Sequence, residues 1–223
     1  TNVYVNYSEG NQPTSGNPDF IALTAAGQAV AARNGVLGVL PEAKLTSTEA
    51  GLKHVADDGT WYANLSVYRL EWIGRQGVRT VQIDINGDGV INLTGTGVNR
   101  EVFNAAPFAA GDSETTGLEI DAGWNPTDRW SLGGTIAYAD TEITKALNEA
   151  LLLRFFGLAD GKGRVYPNAP ELTGSAFAQY EAPFMDGWDW FARADVNYVS
   201  KQYDSILNLT YVPDIWRVNG RIG

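Results

Sequence analysis

The 223-residue chain is acidic, with a formal net charge of −10, and it contains no cysteine. The sequence shows no Lys/Arg stripe to meet phosphates, which argues against nucleic acid as a partner, and the lack of cysteine excludes disulfides and thiolate metal sites. No stretch approaches the roughly 20 apolar residues of a membrane-spanning helix. Abundant glycine (25), with 10 Tyr and 7 Trp, favours β structure joined by tight turns.

Eight segments alternate apolar and polar side chains, which is the period of a β-strand. In Glu114–Trp124, for example, Leu118 and Ile120 alternate with Glu119 and Asp121. We expect eight strands, which in chain order are Asn2–Glu9, Leu45–Ala56, Thr60–Trp72, Glu114–Trp124, Arg129–Asp140, Glu171–Ala182, Gly187–Ser200 and Asp214–Gly223.

Short and long connections between these segments alternate along the chain. The short turns are Asp57–Gly59, Asn125–Asp128 and Pro183–Asp186, and the long connections are Gly10–Lys44, Ile73–Ser113, Thr141–Pro170 and Lys201–Pro213. The connections at one end of the sheet are therefore short and those at the other end are long, as in outer-membrane barrels with short periplasmic turns and long outer loops. The sequence predicts an all-β, antiparallel up-and-down transmembrane β-barrel segment, about eight strands of a larger barrel, with long extracellular loops.

Aromatic residues collect at both ends of the predicted strands, where they would meet the two membrane interfaces. Those near the short turns are Trp61, Trp124, Trp130, Tyr180, Trp188 and Trp190, and those towards the opposite ends are Tyr68, Trp72, Tyr138 and Tyr198. A soluble antiparallel β-sandwich has the same period, so a calcium-steadied binding module, for example for carbohydrate, is the alternative. The long connections favour the barrel, because ordinary connections have a median of ~4–6 residues.

Several stretches resemble strand segments of the TonB-dependent outer-membrane receptors. The most specific is Leu40–Lys53 (LPEAKLTSTEAGLK), and Asn2–Gly10 (NVYVNYSEG) and Thr116–Glu119 (TGLE) are also similar. Pro167–Pro170 and Val218–Gly223 resemble the family more weakly. The resemblance covers nearly all the predicted strands and few of the loops.

This resemblance implies a barrel of about 22 strands that encloses a plug, in the outer membrane of a Gram-negative bacterium. Residues 1–223 would then be part of one β-barrel domain, with the plug domain absent from the chain. The implied function is active import of a scarce small solute, most often a ferric siderophore, with cobalamin, a sugar or another small solute as the alternatives. The implied partners are outer-membrane lipid, the protein's own plug, and TonB, the last two acting through regions absent from this chain.

A barrel would place the charged side chains of the strands in its lumen, where they would have structural roles. These residues are Glu49, Lys53, Glu119, Asp121, Arg193, Asp195, Arg217 and Arg221. The sequence does not predict an enzyme, because it has no nucleophile-elbow motif and its one histidine, His54, lies at a strand end near a short turn. Glu119 and Asp121 share a strand face, as any wet lumen would show, although a glycosidase needs only two carboxylates.

A D-x-N-x-D-G pattern begins at Asp84, and it has the spacing of a calcium-binding loop. Asp84, Asn86 and Asp88, with the carbonyl of Val90, are the candidate Ca²⁺ ligands. Gly95 stands where such a loop needs a bidentate Glu, so Glu101 or Asp112 would have to supply the missing oxygens. The alternative is a plain loop tip of residues that tolerate positive φ.

Two helices are predicted in the long connections. Leu147, Leu151, Phe155 and Leu158 recur at helical spacing and predict a helix within Thr144–Leu158. The Ala-rich stretch Phe20–Asn34, followed by Gly35, predicts a second and shorter helix.

Overall fold

The computed structural model describes residues 1–34, 36–146, 156–157 and 161–223, apart from the side chains of 78–80, 104–110 and 146. Its elements in chain order are β1 (Asn2–Gln12), β2 (Ser15–Gly16), α1 (Pro18–Ile21), α2 (Ala25–Arg33), β3 (Val39–Leu40), β4 (Ala43–Val55), β5 (Trp61–Gln82), a 3₁₀ turn (Gly97–Asn99), β6 (Val102–Thr127), β7 (Trp130–Ala146), β8 (Leu172–Met185), β9 (Trp188–Val199), β10 (Gln202–Tyr203), β11 (Tyr211–Val212) and β12 (Ile215–Ile222).

Eight of these strands form one antiparallel sheet in the order β1-β4-β5-β6-β7-β8-β9-β12. Neighbours in the sheet are successive long strands of the chain, which is the up-and-down connectivity of a barrel wall. The predicted fold class is confirmed. The pairs β2–β3 and β10–β11 form two small separate sheets, so in the described residues no second large sheet packs against the first, and the sandwich alternative is not favoured. No helix among the described residues is long and apolar enough to cross a bilayer.

All eight predicted strands are present, but the predicted loop Ile73–Ser113 is wrong in extent. Strand β5 continues to Gln82 and β6 begins at Val102, so a long hairpin projects from the sheet. The register shifts between Trp72 and Arg75, at Gly74, which has φ of 67°. The Gly74 N–H donates to the Asp112 carboxylate at 2.7 Å instead of continuing the ladder. This bulge interrupts the alternation on which the sequence analysis depended.

The first short turn is held by its own side chains. The Asp58 carboxylate accepts hydrogen bonds from the N–H of Thr60 at 3.0 Å and from its hydroxyl at 2.8 Å. These two donors lower the pKa of Asp58, because they stabilise its ionised form. Gly59 adopts a φ of 70° beside it, which a side chain would strain.

The hydrophobic core of the described chain lies in the long connections, at the end of the sheet opposite the short turns, which we call the outer end. We call residues 13–42 and 81–103 the first outer lobe. Its buried side chains come from both connections, and partly buried neighbours pack against them. The buried set is Leu23, Ala31, Val36, Ile83 and Phe103, and the neighbours are Phe20, Val30, Val81 and Ile85. Two segments that are distant in sequence therefore fold as one unit.

Within this lobe the predicted helix Phe20–Asn34 is observed as two helices, α1 and α2. Thr24 interrupts it, because its hydroxyl accepts from the Gly27 N–H at 3.2 Å and caps α2. Asn17 caps α1 by accepting from the Phe20 N–H at 3.3 Å, and Pro18 follows at the first helical position. Asn17 is only 2% exposed, and its amide also donates to the carbonyl of Leu37 at 3.0 Å.

The connections β7–β8 and β9–β12 also meet. We call residues 161–170 and 200–214 the second outer lobe. The Asn208 side chain accepts from the N–H of Val165 at 2.9 Å and donates to the carbonyl of Val165 at 3.0 Å. The predicted helix Thr144–Leu158 is wrong at its start, because strand β7 continues to Ala146. Lys145 and Ala146 pair with β6, and Thr144 lies at a register shift just before them. The positions Leu147, Leu151, Phe155 and Leu158 lie outside the described residues.

Candidate ligand-binding surface at the outer end of the sheet

The strand register divides the sheet into an apolar face and a polar face. In one row across the sheet, Leu52, Leu65, Ile120 and Ile136 lie directly opposite one another on successive strands. In the adjacent row Lys53 faces Asn64, which faces Asp121. Opposed residues of an antiparallel pair share a face, so the predicted alternation is present in three dimensions as an apolar belt on one face.

Aromatic side chains border the apolar belt on both sides. Near the short turns, Trp61 lies opposite Trp124, and Tyr180 packs between Trp130 and Trp190 at ring-centroid distances of 5.0 and 5.7 Å. At the other side of the belt, Tyr138 pairs with Leu118, and Tyr198 contacts Trp216 at 4.5 Å. The prediction that the aromatic residues at this end meet a membrane interface was wrong for Tyr68 and Trp72. The register places Tyr68 opposite Glu49 and Trp72 opposite Leu45, on the polar face.

All eight residues predicted to line the lumen lie on this polar face. Glu49, Lys53, Glu119 and Asp121 lie on β4 and β6, and Arg193, Asp195, Arg217 and Arg221 lie on β9 and β12. Asp195 binds Arg193 at 2.7 Å and Arg221 at 3.5 Å. The hydroxyl of Tyr4 donates to Glu49, and the amide of Asn64 donates to Asp121 at 3.0 Å. These contacts fit the structural roles expected of them.

The polar face also carries a feature that the sequence analysis missed. Aromatic rings cover glycines directly opposite them on the adjacent strand, in the pairs Tyr4–Gly51, Tyr62–Gly123, Tyr68–Gly117 and Phe177–Gly133. A Cβ at Gly117 would lie 2.3 Å from Cζ of Tyr68. The signal in the sequence was a glycine inside an alternating segment, but its partner could be named only from the register.

Among the described residues, two cations at the outer end of the sheet each lie near two aromatic rings. The guanidinium carbon of Arg75 lies 4.7 Å from the ring centroid of Tyr166 and 5.9 Å from that of Trp72. The ammonium of Lys201 lies 5.4 Å from the ring of Tyr203 and 5.8 Å from that of Tyr211. Neither cluster could be predicted from the sequence, because Tyr166 and Tyr211 are brought to the other members by the fold and by no sequence spacing.

The candidate calcium loop is ordered around Asp84. Its two carboxylate oxygens accept from the N–H groups of Gly87 at 2.6 Å and Gly89 at 2.7 Å. The Asn86 side chain accepts from the N–H of Asp88 at 2.9 Å, and the Asp88 carboxylate accepts from the N–H of Val90 at 2.7 Å. Among the described residues, no group of three or more His, Cys, Asp or Glu is placed to hold a metal ion.

The two residues proposed to complete that loop lie in different surroundings. Glu101 is 2% exposed and accepts from the N–H of Ile85 at 3.3 Å and of Asn92 at 2.5 Å, so it joins the loop to the lobe core. Asp112 is engaged with Gly74 at the base of the hairpin. Calcium binding at Asp84, Asn86, Asp88 and Val90 stays a prediction.

An antiparallel sheet with an apolar belt, aromatic borders and folded connections at one end defines the wall of an outer-membrane-type β-barrel. Comparison with known proteins narrows the class. Residues 1–223 match the family model described as TonB dependent receptor-like, beta-barrel. The chain belongs to this family, whose members are receptors and transporters of the Gram-negative outer membrane.

Solved structures of family members share the fold. BauA, the ferric preacinetobactin receptor from Acinetobacter baumannii, is 19% identical with a TM-score of 0.64, over 98% of this chain and 26% of its own. The ferric yersiniabactin uptake receptor FyuA from Yersinia pestis is 16% identical with a TM-score of 0.63, over 99% of this chain and 27% of its own. The copper transporter OprC is 14% identical with a TM-score of 0.57, over 97% and 27%.

These identities show the fold alone, and the chain spans about a quarter of the length of these receptors. No curated protein sequence matches the chain.

Proposed function

We propose that this chain is part of the barrel of an outer-membrane receptor that imports a scarce iron chelate, a ferric siderophore. Its residues 1–223 form part of one barrel domain, and other parts of the receptor supply the plug and the segment that engages TonB. The observation that carries this proposal is the match of the whole chain to the receptor barrel family. The ferric-siderophore names of BauA and FyuA support the choice of cargo.

The two faces of the sheet suit this function. The apolar belt with aromatic borders would contact outer-membrane lipid, and the polar face would line the lumen and meet the plug. The two outer lobes would lie at the mouth, where a ligand first meets the receptor. Partly buried cations and aromatic rings at that end, such as Arg75 and Tyr166, offer groups that bind a chelate.

The test uses the gene that encodes the full-length receptor. Deleting it should abolish uptake of a radiolabelled ferric chelate by iron-starved cells, and restoring it should return uptake. Uptake should also require TonB and the proton gradient, since the family is energised from the inner membrane. Copper ions serve as the comparison cargo because OprC is named as a copper transporter. Loss of copper uptake with unchanged iron uptake would contradict the proposed cargo.

A further inference from the structure

The cluster of Trp72, Arg75 and Tyr166 lies on the inner side of the outer end of the sheet. Trp72 pairs with Leu45 and Ser113 on the polar face of the sheet. Arg75 follows the bulge at Gly74 and turns its guanidinium towards the Trp72 ring. Tyr166 comes from the second outer lobe and covers the guanidinium at 4.7 Å. The site therefore combines one strand end and one lobe.

Arg75 carries a charge that no described carboxylate neutralises. No described carboxylate lies within ion-pair distance of its guanidinium, whereas Arg69 on the same strand binds Glu71 at 2.8 Å and Glu114 at 2.9 Å. Arg69 pairs with Thr48 and Thr116, which places it on the same face of the sheet as the apolar belt, the outward face. On strand β5, Arg69 is therefore neutralised on the outward face, and Arg75 has no charge partner among the described carboxylates. The Arg75 side chain is half-buried, so partial exclusion of water strengthens its attraction for an anion.

The described contacts of Arg75 are with aromatic rings. Its guanidinium lies over the rings of Tyr166 and Trp72, and within the described part of the chain its N–H groups make no hydrogen bond. The N–H groups of a guanidinium bind carboxylate or phenolate oxygens through two parallel hydrogen bonds. The adjoining rings offer apolar faces on which a planar group stacks.

We infer that this cluster recognises an anionic, ring-bearing iron chelate, such as a ferric catecholate. This inference rests on the proposed function and names the charge and chemistry of its cargo. The ferric complexes of catechol and citrate are anions, whereas ferric desferrioxamine carries no net negative charge. Arg75 would bind the anionic oxygens, and Trp72 and Tyr166 would stack on the ring. Catechol complexes should therefore bind better than citrate, and citrate better than desferrioxamine.

The test measures binding of these three ferric complexes to the purified full-length receptor in detergent, by quenching of tryptophan fluorescence. Arg75→Gln should weaken binding of the ferric catechol complex about tenfold or more, because a charged hydrogen-bonding partner is lost. Arg75→Lys should recover only part of the affinity, since it keeps the charge without the planar fork. Tyr166→Leu should weaken binding of the catechol complex and leave binding of ferric citrate nearly unchanged.

Arg69→Gln is the matched control, because it removes the same charge from the outward face of the same strand. It should leave all three affinities unchanged. Equal binding by the wild type and Arg75→Gln, or an equal loss with Arg69→Gln, would overturn the inference and leave the import function standing. A wild type that prefers ferric desferrioxamine would overturn it as well.

A wild type that neither binds nor imports any iron chelate would overturn the proposed function, and the inference with it. If Arg75→Gln does not fold, a salt titration of the wild type replaces it. Binding of the catechol complex should weaken with rising salt, and salt-independent binding would overturn the inference.

Discussion

Glycines beneath aromatic rings determine how closely neighbouring strands approach on the polar face. Tyr68 lies over Gly117 and Tyr62 over Gly123, six residues apart on both β5 and β6. A glycine exposes its backbone to water and weakens a strand, and an aromatic ring from the adjacent strand restores that cover. The ring and the glycine therefore act as a pair, and neither explains its position alone.

Gly117→Ala should destabilise the folded receptor. The new Cβ would lie 2.3 Å from Cζ of Tyr68, and overpacking of this kind costs about 1–3 kcal/mol. Thermal unfolding of the full-length receptor in detergent gives the measurement. Gly220→Ala is the control, since the nearest described atom to its new Cβ is 4.0 Å away. In a Tyr68→Ala background Gly117→Ala should cost less, and an undiminished cost would show that the ring is not responsible.

Glu101 should hold the first outer lobe together. Its buried carboxylate accepts hydrogen bonds from the backbone N–H groups of Ile85 and Asn92, and a hydrogen bond to a charged group contributes about 1.5–3 kcal/mol. Glu101→Ala should therefore speed hydrogen exchange at the amides of Ile85 and Asn92. Glu42→Gln, at an exposed carboxyl that bonds Asn11, should leave these rates unchanged. Unchanged exchange in Glu101→Ala would refute the role.

At the scale of elements, the first outer lobe is built by two connections that pack on each other. Gly27 of α2 approaches Ile85 so closely that a Cβ there would lie 3.1 Å from Cγ2 of Ile85. Arg100 binds Asp19 at 3.2 Å and adds an ion pair between the two connections. The loop Asp84–Val90 is joined to this packed unit through Ile85, which packs against the lobe core.

Calcium binding by that loop stays a prediction, and hydrogen exchange tests it. Added Ca²⁺ should slow exchange of the amides from Asp84 to Val90, because coordination by Asp84, Asn86 and Asp88 would hold the loop closed. Asp84→Ala should remove this response. Asp112→Asn should keep it, because Asp112 bonds Gly74 at the hairpin base. If neither Ca²⁺ nor a chelator changes amide exchange of this loop in the wild type, calcium binding there is excluded.

The strands could be predicted from sequence because alternation is a local pattern that each segment carries alone. Segments such as Arg129–Asp140 needed no partner to be recognised, and the structure extends that one only to Ala146. The hairpin beyond Trp72 escaped prediction because the bulge at Gly74 changes the phase of the alternation. The cluster of Trp72, Arg75 and Tyr166 escaped it because proximity between β5 and a distant loop depends on the whole fold.

In the whole molecule, successive residues of each strand lie on opposite faces of the sheet, one apolar and one polar. Ile136 lies on the apolar face, 51% exposed, opposite Ile120 and Gly174. Its neighbour Thr135 lies on the polar face, where its hydroxyl is 2.9 Å from that of Ser175. Under the proposed function, the first face would meet lipid and the second would line the lumen.

Arginine substitutions at the neighbouring positions 135 and 136 should therefore destabilise the barrel to very different extents. Ile136→Arg should destabilise the barrel by about 2–4 kcal/mol, because it puts a charge against lipid near the middle of the belt. Thr135→Arg should be tolerated better, since its charge enters the aqueous lumen. The amount of folded full-length receptor in the outer membrane measures both. Equal loss for the two variants would contradict the assignment of the faces.

The packed core of the first outer lobe has a consequence for assembly. Leu23 lies before β4 in the chain and Phe103 lies at the start of β6, yet they share one core. A slip of two residues in the pairing of β4 with β5 keeps every side chain on its proper face, so the belt itself cannot reject it. The same slip would displace one half of the lobe by about 7 Å and open its core. Packing of the lobe core would therefore favour the correct register of β4 with β5. Contact with the bilayer alone does not distinguish the two registers.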